Sequence, residues 1–141
     1  MLTPELLDTY NSTVFTVADE HSFRIGEPLP QALIEWLTEH NATTSAILGA
    51  ECPYSQPTSD EENETAHQAL IAECNERSIV WLPAIGTCHN WQERHLFVAG
   101  ISEHDAVDFC NRYHQNSIVF CDAGGLARLV LGGSGPQHTA T

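Results

Sequence analysis

The chain has 141 residues, the size of a single domain, which buries roughly two-thirds of the surface its unfolded form exposes. Nineteen acidic residues oppose five basic ones, all arginine, for a formal net charge of -14; such a surface repels phosphate, which argues against DNA, RNA and anionic membranes as partners. No stretch approaches the roughly 20 apolar residues of a membrane helix, and MLTPELLDTYNSTVF lacks the basic start and apolar run of a secretory signal, so a cytoplasmic location is expected.

A short helix is predicted over Thr3 to Tyr10, followed by an extended segment at Thr13 to Val17 and a short strand near Ser22 to Ile25. Gly26 and Pro28 break the chain. From Pro30 to His40, Leu33, Ile34 and Leu37 recur at helical spacing behind a proline suited to the first turn. Ser45 to Ala50 reads as a buried strand, ended by the turn-rich stretch Cys52 to Pro57. Ser59 and Glu62 form a capping-box pattern ahead of Ala66, Leu70 and Cys74, which predicts a helix to Glu76.

Ser78 to Leu82 reads as an apolar strand stopped by Pro83, then a polar loop, then a strand at Leu96 to Ala99. Ser102 and Asp105 begin a helix with Ala106, Phe109, Cys110 and Tyr113 on one face. Ser117 to Cys121, a turn at Asp122 to Gly125, and Leu126 to Leu131 complete a hairpin. The order predicts one α+β domain over residues 1–131: a mixed sheet of about five to seven strands covered by three main helices. Residues 132–141 are expected to form a disordered tail.

The stretches Ala46-Ile-Leu-Gly-Ala-Glu-Cys-Pro-Tyr-Ser55, Ser59 to Asn63, Trp91 to Glu93, Gly100 to Ser102 and Tyr113 to Asn116 resemble the bacterial domain-of-unknown-function family 3293. The resemblance runs from about Phe15 to Leu131. In that family the first stretch resembles a strand ending in Thr-Ala-x-Asn-Pro-x-Ser, and the next helix supplies an asparagine; Ala50, Pro53, Ser55 and Asn63 keep this pattern. Gly49 stands at the usual threonine and Cys52 at the usual asparagine. The resemblance implies a fold and a set of positions, and no reaction.

The Cys52–Ser59 loop joins a strand to a helix start, a common ligand location in open sheets. Ser55 and Asn63 either bind a small polar ligand there or stitch the loop to the helix. Asp60, Glu61, Glu62 and Glu64 crowd the first turn and oppose an anion, so a neutral or cationic ligand fits better. Trp91 and Glu93 before one strand, and Gln115 before another, either suit a ring-bearing ligand stacked on Trp91 and hydrogen-bonded by the other two, or are a tryptophan that closes the core with polar neighbours that cap strand ends. These residues together predict one concave site joining Asn63, Glu93 and Gln115 beside Trp91.

Five cysteines without paired spacing read as reduced thiols, and the eight histidines lack metal-ligand spacing, so no metal and no cofactor is implied. Three functions remain open. The first is a binding domain for a small polar molecule or a protein partner. The second is a small enzyme using Glu93 or Cys52 with a histidine such as His89 or His95. The third is an acidic protein that presents its carboxylates to a basic partner. The sequence leaves the oligomeric state open.

Overall fold

The computed structural model describes residues 3–122 and 124–133. Among these residues four helices, α1 (Pro4–Ser12), α2 (Gln31–Glu39), α3 (Asp60–Glu76) and α4 (Glu103–Arg112), accompany seven strands, so the α+β class is as expected, with the short α1 beside the three main helices. The strands are β1 (Val14–Val17), β2 (His21–Phe23), β3 (Thr44–Gly49), β4 (Trp81–Cys88), β5 (Trp91–Ala99), β6 (Ser117–Asp122) and β7 (Arg128–Leu131). They form one sheet in the order β2-β1-β4-β5-β3-β6-β7. Every named pairing is antiparallel, where a mixed sheet was expected. The helices α3 and α4 do join strands that run in the same direction, but these are not neighbours: β5 lies between β3 and β4, and β3 lies between β5 and β6, so each ladder is antiparallel.

Helix starts follow the predicted caps. Ser59 Oγ accepts the Glu62 amide at 3.1 Å, and Ser102 Oγ accepts the Asp105 amide at 3.0 Å. Alternation along the strands divides the interior into two layers. Leu48, Leu96, Val98 and Phe120 pack with Leu70 and Cys74 of α3 and Phe109 of α4. Ile47, Phe97 and Val119 turn the other way and pack with Leu33 and Leu37 of α2.

The segment after Leu82 departs from expectation. Pro83 does not end β4, which continues to Cys88, turns through His89 and Asn90, and returns as β5 from Trp91. Pro83 accepts the Ala18 amide at 2.8 Å, while Ala18 itself leaves the ladder at φ 55°. The missing proline N–H therefore faces a position where β1 has already ended, and no ladder bond is lost. Trp91 and Glu93 consequently lie inside a strand rather than before one.

Gly132 and Gly133, expected in a tail, dock by backbone bonds to the Asn116 carbonyl and Asn111 Oδ1 at 2.8 Å each. The rest of that tail, residues 134–141, lies outside the described residues. No helix among the described residues is long and apolar enough to cross a membrane.

Phe97 joins the α2 layer through tilted or edge contacts with Phe23 and Trp36 and is 1% exposed. Phe97→Ala is expected to cost about 3–5 kcal/mol in urea unfolding, since the sheet around it relaxes only partly into the void.

Candidate functional site

The α2 layer covers only part of its face of the sheet. Beside it lies a cavity of about 480 Å³, bounded by Leu6 and Tyr10 of α1, Phe15, Ile47, Trp91 and Leu129 among others. Its floor follows from strand register. Gly49 of β3 pairs with His95 of β5, and Gly86 of β4 pairs with Glu93. A Cβ added at Gly49 would meet His95 Nδ1 at 2.7 Å, and one at Gly86 would meet His95 Nε2 at 3.0 Å. The imidazole thus spans two side-chain-free positions, with the Phe15 ring edge-on at 5.7 Å between centroids. Gly49 stands where the family resemblance implied threonine, and in this chain His95 occupies the space a side chain there would need.

Glu93 and His95, two apart on β5, share this face. The indole Nε1 of Trp91 donates to Glu93 Oε2, and among the described residues no cation contacts this carboxylate. Burial pushes Glu93 up to about 7, against the Trp91 hydrogen bond, with the nearby Glu51 charge adding to the rise. Burial likewise holds His95 down to about 4, so the ring is neutral at physiological pH. Its Nδ1 is enclosed and makes no hydrogen bond. The Gln115 amide nitrogen donates to the carbonyls of Glu51 and Tyr113 at 3.1 and 3.2 Å. Its Oε1 lies over Gly49, 3.4 Å from where a Cβ would stand.

Next to this floor the charges are compensated. Glu51, buried after β3, accepts the Arg94 amide at 2.9 Å and Arg94 Nε at 2.7 Å, while Arg94 Nη1 reaches Glu64 at 2.7 Å. This bridge fixes β5 against the end of β3. The wall above it is hydrogen-bonded across three segments: Tyr10 OH meets Ser55 Oγ at 2.5 Å, and Asn116 Nδ2 donates to both at 3.1 and 3.3 Å. Ser55 sits on a loop in which Cys52, Tyr54 and Ser55 all have positive φ, a conformation costly without glycine.

Ser55, Trp91, Glu93 and Gln115 border one cavity. Asn63 does not join them, which corrects the expectation of a shared site. It lies on α3, on the opposite face of the sheet, where its Oδ1 accepts the Cys52 amide at 2.9 Å and the Thr58 hydroxyl at 2.5 Å. Asn63 also borders a separate surface cleft with Ser59, Glu62 and Ala66. Its amide clamps Cys52 in the left-handed conformation that asparagine, the residue implied at position 52, tolerates better.

Cys52 gains no nucleophilic character from this setting. Burial and the Glu93 charge push its thiol upward, outweighing hydrogen bonds from Asn63 and Thr58. All five cysteines are buried free thiols. Among the described residues no group of three or more histidine, cysteine or acidic side chains is arranged to hold a metal ion.

Sequence reasoning named His95 only as a partner base and missed Glu51 and Tyr10. Glu51 carried a signal, being the one charged residue in the apolar run from Ser45 to Cys52. The floor residues Glu93 and His95 alternate with Gln92 and Arg94, which are polar as well, so their strand read as a polar loop.

Two stability effects follow. A carboxyl whose folded value is raised contributes stability that is whole below its ordinary 4.5 and is lost as pH rises through about 7. Glu93→Gln keeps an acceptor for the Trp91 indole and removes the ionisation, so unfolding in urea should show a gain of about 1–3 kcal/mol at pH 8 and little change at pH 4.5. Asn63→Ala strands the Cys52 amide and is expected to cost about 1–3 kcal/mol by the same measurement while leaving the cavity intact.

Comparison with curated proteins and with solved structures found no match. One family model matches residues 48–118, half of the chain, under the description "Protein of unknown function (DUF3293)". The matched segment contains every floor residue, Gly49, Gly86, Glu93, His95 and Gln115, whereas α1 and β1 lie outside it. With half of its length matched, through the strands and loops that build the cavity floor, the chain belongs to the DUF3293 family.

Proposed function

We propose that this domain binds a small ring-bearing molecule in the cavity on the α2 side of its sheet. The observation that carries the reading is the floor itself: Gly49 and Gly86, on the strands either side of β5, admit the His95 ring, and beside it lies a largely apolar concavity lined by a carboxylate, an imidazole and an amide side chain. A structural interior would fill this space with side chains, as the α3 and α4 layer does. A volume of about 480 Å³ falls within the range of small-molecule sites, which combine mostly apolar walls with a few placed polar groups. Trp91 is 38% exposed at the rim, which suits a wall of an open site better than a core residue.

Benzamide, a neutral planar probe, should perturb the amide resonances of Gly49 and Gly86 and the indole of Trp91 in NMR titration. Ser117→Phe, which inserts a ring from β6 into the cavity, should abolish these shifts while preserving the circular-dichroism spectrum. Native mass spectrometry of the purified protein provides a second test, since a retained organic mass lost in Ser117→Phe supports the reading. Benzamide shifts that persist in Ser117→Phe, or that map outside the cavity, would refute it.

A further inference from the structure

Charge is distributed unevenly around the cavity. Its lining holds the Glu93 carboxylate and no arginine, and the chain has no lysine. Four of the five arginines are committed to carboxylates elsewhere: Arg77 and Arg112 to Glu73, Arg94 to Glu51 and Glu64, and Arg128 to Glu103. Glu93 thus remains a partly buried carboxylate that accepts from the neutral Trp91 indole and, among the described residues, meets no cation. Leaving such a group without a cation is costly unless it holds a proton or meets a ligand.

The neighbouring polar atoms repeat this bias. Gln115 spends its N–H groups on backbone carbonyls and leaves its oxygen over Gly49. The floor therefore offers acceptors to a ligand, and Trp91 offers an aromatic surface at the rim, the combination that attracts cations. An anion would find no arginine or lysine among the described lining residues. Among the described residues no three histidine, cysteine or acidic side chains are arranged there to hold a metal ion.

We infer that the cavity selects a planar organic cation, an aromatic ring bearing an amidinium-like or guanidinium-like group, whose N–H donors meet Glu93 and the Gln115 oxygen. This rests on the reading of the cavity as a small-molecule site. Two parallel N–H donors on one planar carbon match a carboxylate geometrically, as arginine does. Cation binding favours the ionised carboxylate, so the bound cation displaces the Glu93 proton and affinity rises with pH. The other titratable or charged groups around Glu93 are Cys88 on β4, His95 on β5, His89 in the intervening turn, Tyr10 on α1, and Glu51 and Cys52 after β3. Replacement of Glu93 alone separates its contribution from theirs.

Benzamidine, benzamide and benzoate share one shape and differ in charge, so their dissociation constants from NMR titration test the inference. At pH 8 benzamidine should bind at least about tenfold more tightly than benzamide, and benzoate should bind more weakly than either. The benzamidine preference should shrink at pH 5.5, where Glu93 is protonated, and should fall below about threefold in Glu93→Gln. Equal affinities for benzamidine and benzamide, with shifts still at Gly49 and Trp91, would overturn the cation inference and leave the binding-site reading standing. A preference that survives Glu93→Gln would overturn it as well. Absence of shifts from all three probes would refute both.

Discussion

The register of β5 between β3 and β4 is the constraint on which the cavity depends. Antiparallel pairing places Gly49 opposite His95 and Gly86 opposite Glu93, and alternation sends all four positions to the same face. The imidazole can lie across the strands because neither glycine has a Cβ. A slip of one residue would send His95 and Glu93 toward α3 and bring Leu96 into the cavity. The Glu51–Arg94 bridge opposes such a slip, because it joins the residue next to His95 to the chain just beyond Gly49. Pairing, glycine placement and this ion pair thus act on the same few residues.

The two faces of the sheet have different fates for a reason rooted in helix placement. Helices α3 and α4 deliver Leu70, Cys74, Ala106 and Phe109 against β3, β5 and β6, and that layer is closed. On the other face α2 is a nine-residue helix with two fully buried leucines, Leu33 and Leu37, and it covers only the end of the sheet near Phe97 and Val119. The uncovered end is walled by α1, a helix with no buried residue, held by the hydrogen bonds among Tyr10, Ser55 and Asn116. A cavity is the consequence of one face having less helix than sheet.

Electrostatics sharpen the contrast between neighbouring carboxylates. Glu51 is buried and satisfied by an arginine that contacts it twice, and Glu73 is held down to about 2, chiefly by hydrogen bonding from Arg112. Glu93 lacks such a partner and is pushed upward instead. The protein is rich in acidic groups and poor in cations, so arginines are concentrated where they fasten elements together. Glu93, which no arginine reaches among the described residues, faces the cavity beside α1.

Most of the architecture was legible in the sequence because it depends on local chemistry. The caps at Ser59 and Ser102, the helical spacing of Leu33 and Leu37, and the apolar runs at Ser45 to Ala50 and Ser117 to Cys121 each act within a few residues. The sequence also placed Ser55, Trp91, Glu93 and Gln115 as candidates, since polar or aromatic residues interrupting apolar segments are visible in one dimension. Tertiary structure alone decided which of them meet. Asn63 and Glu93 are both near the loop after β3, yet the sheet separates them, because α3 crosses one face and Glu93 points to the other. The strand from Trp91 to His95 was hidden for a related reason: periodicity reports burial, and a strand whose inward residues line a cavity carries the polar signature of a loop. Composition and local spacing determined the elements and their charge; the pairing register, through which two distant glycines make room for one histidine, was decided only when the chain folded.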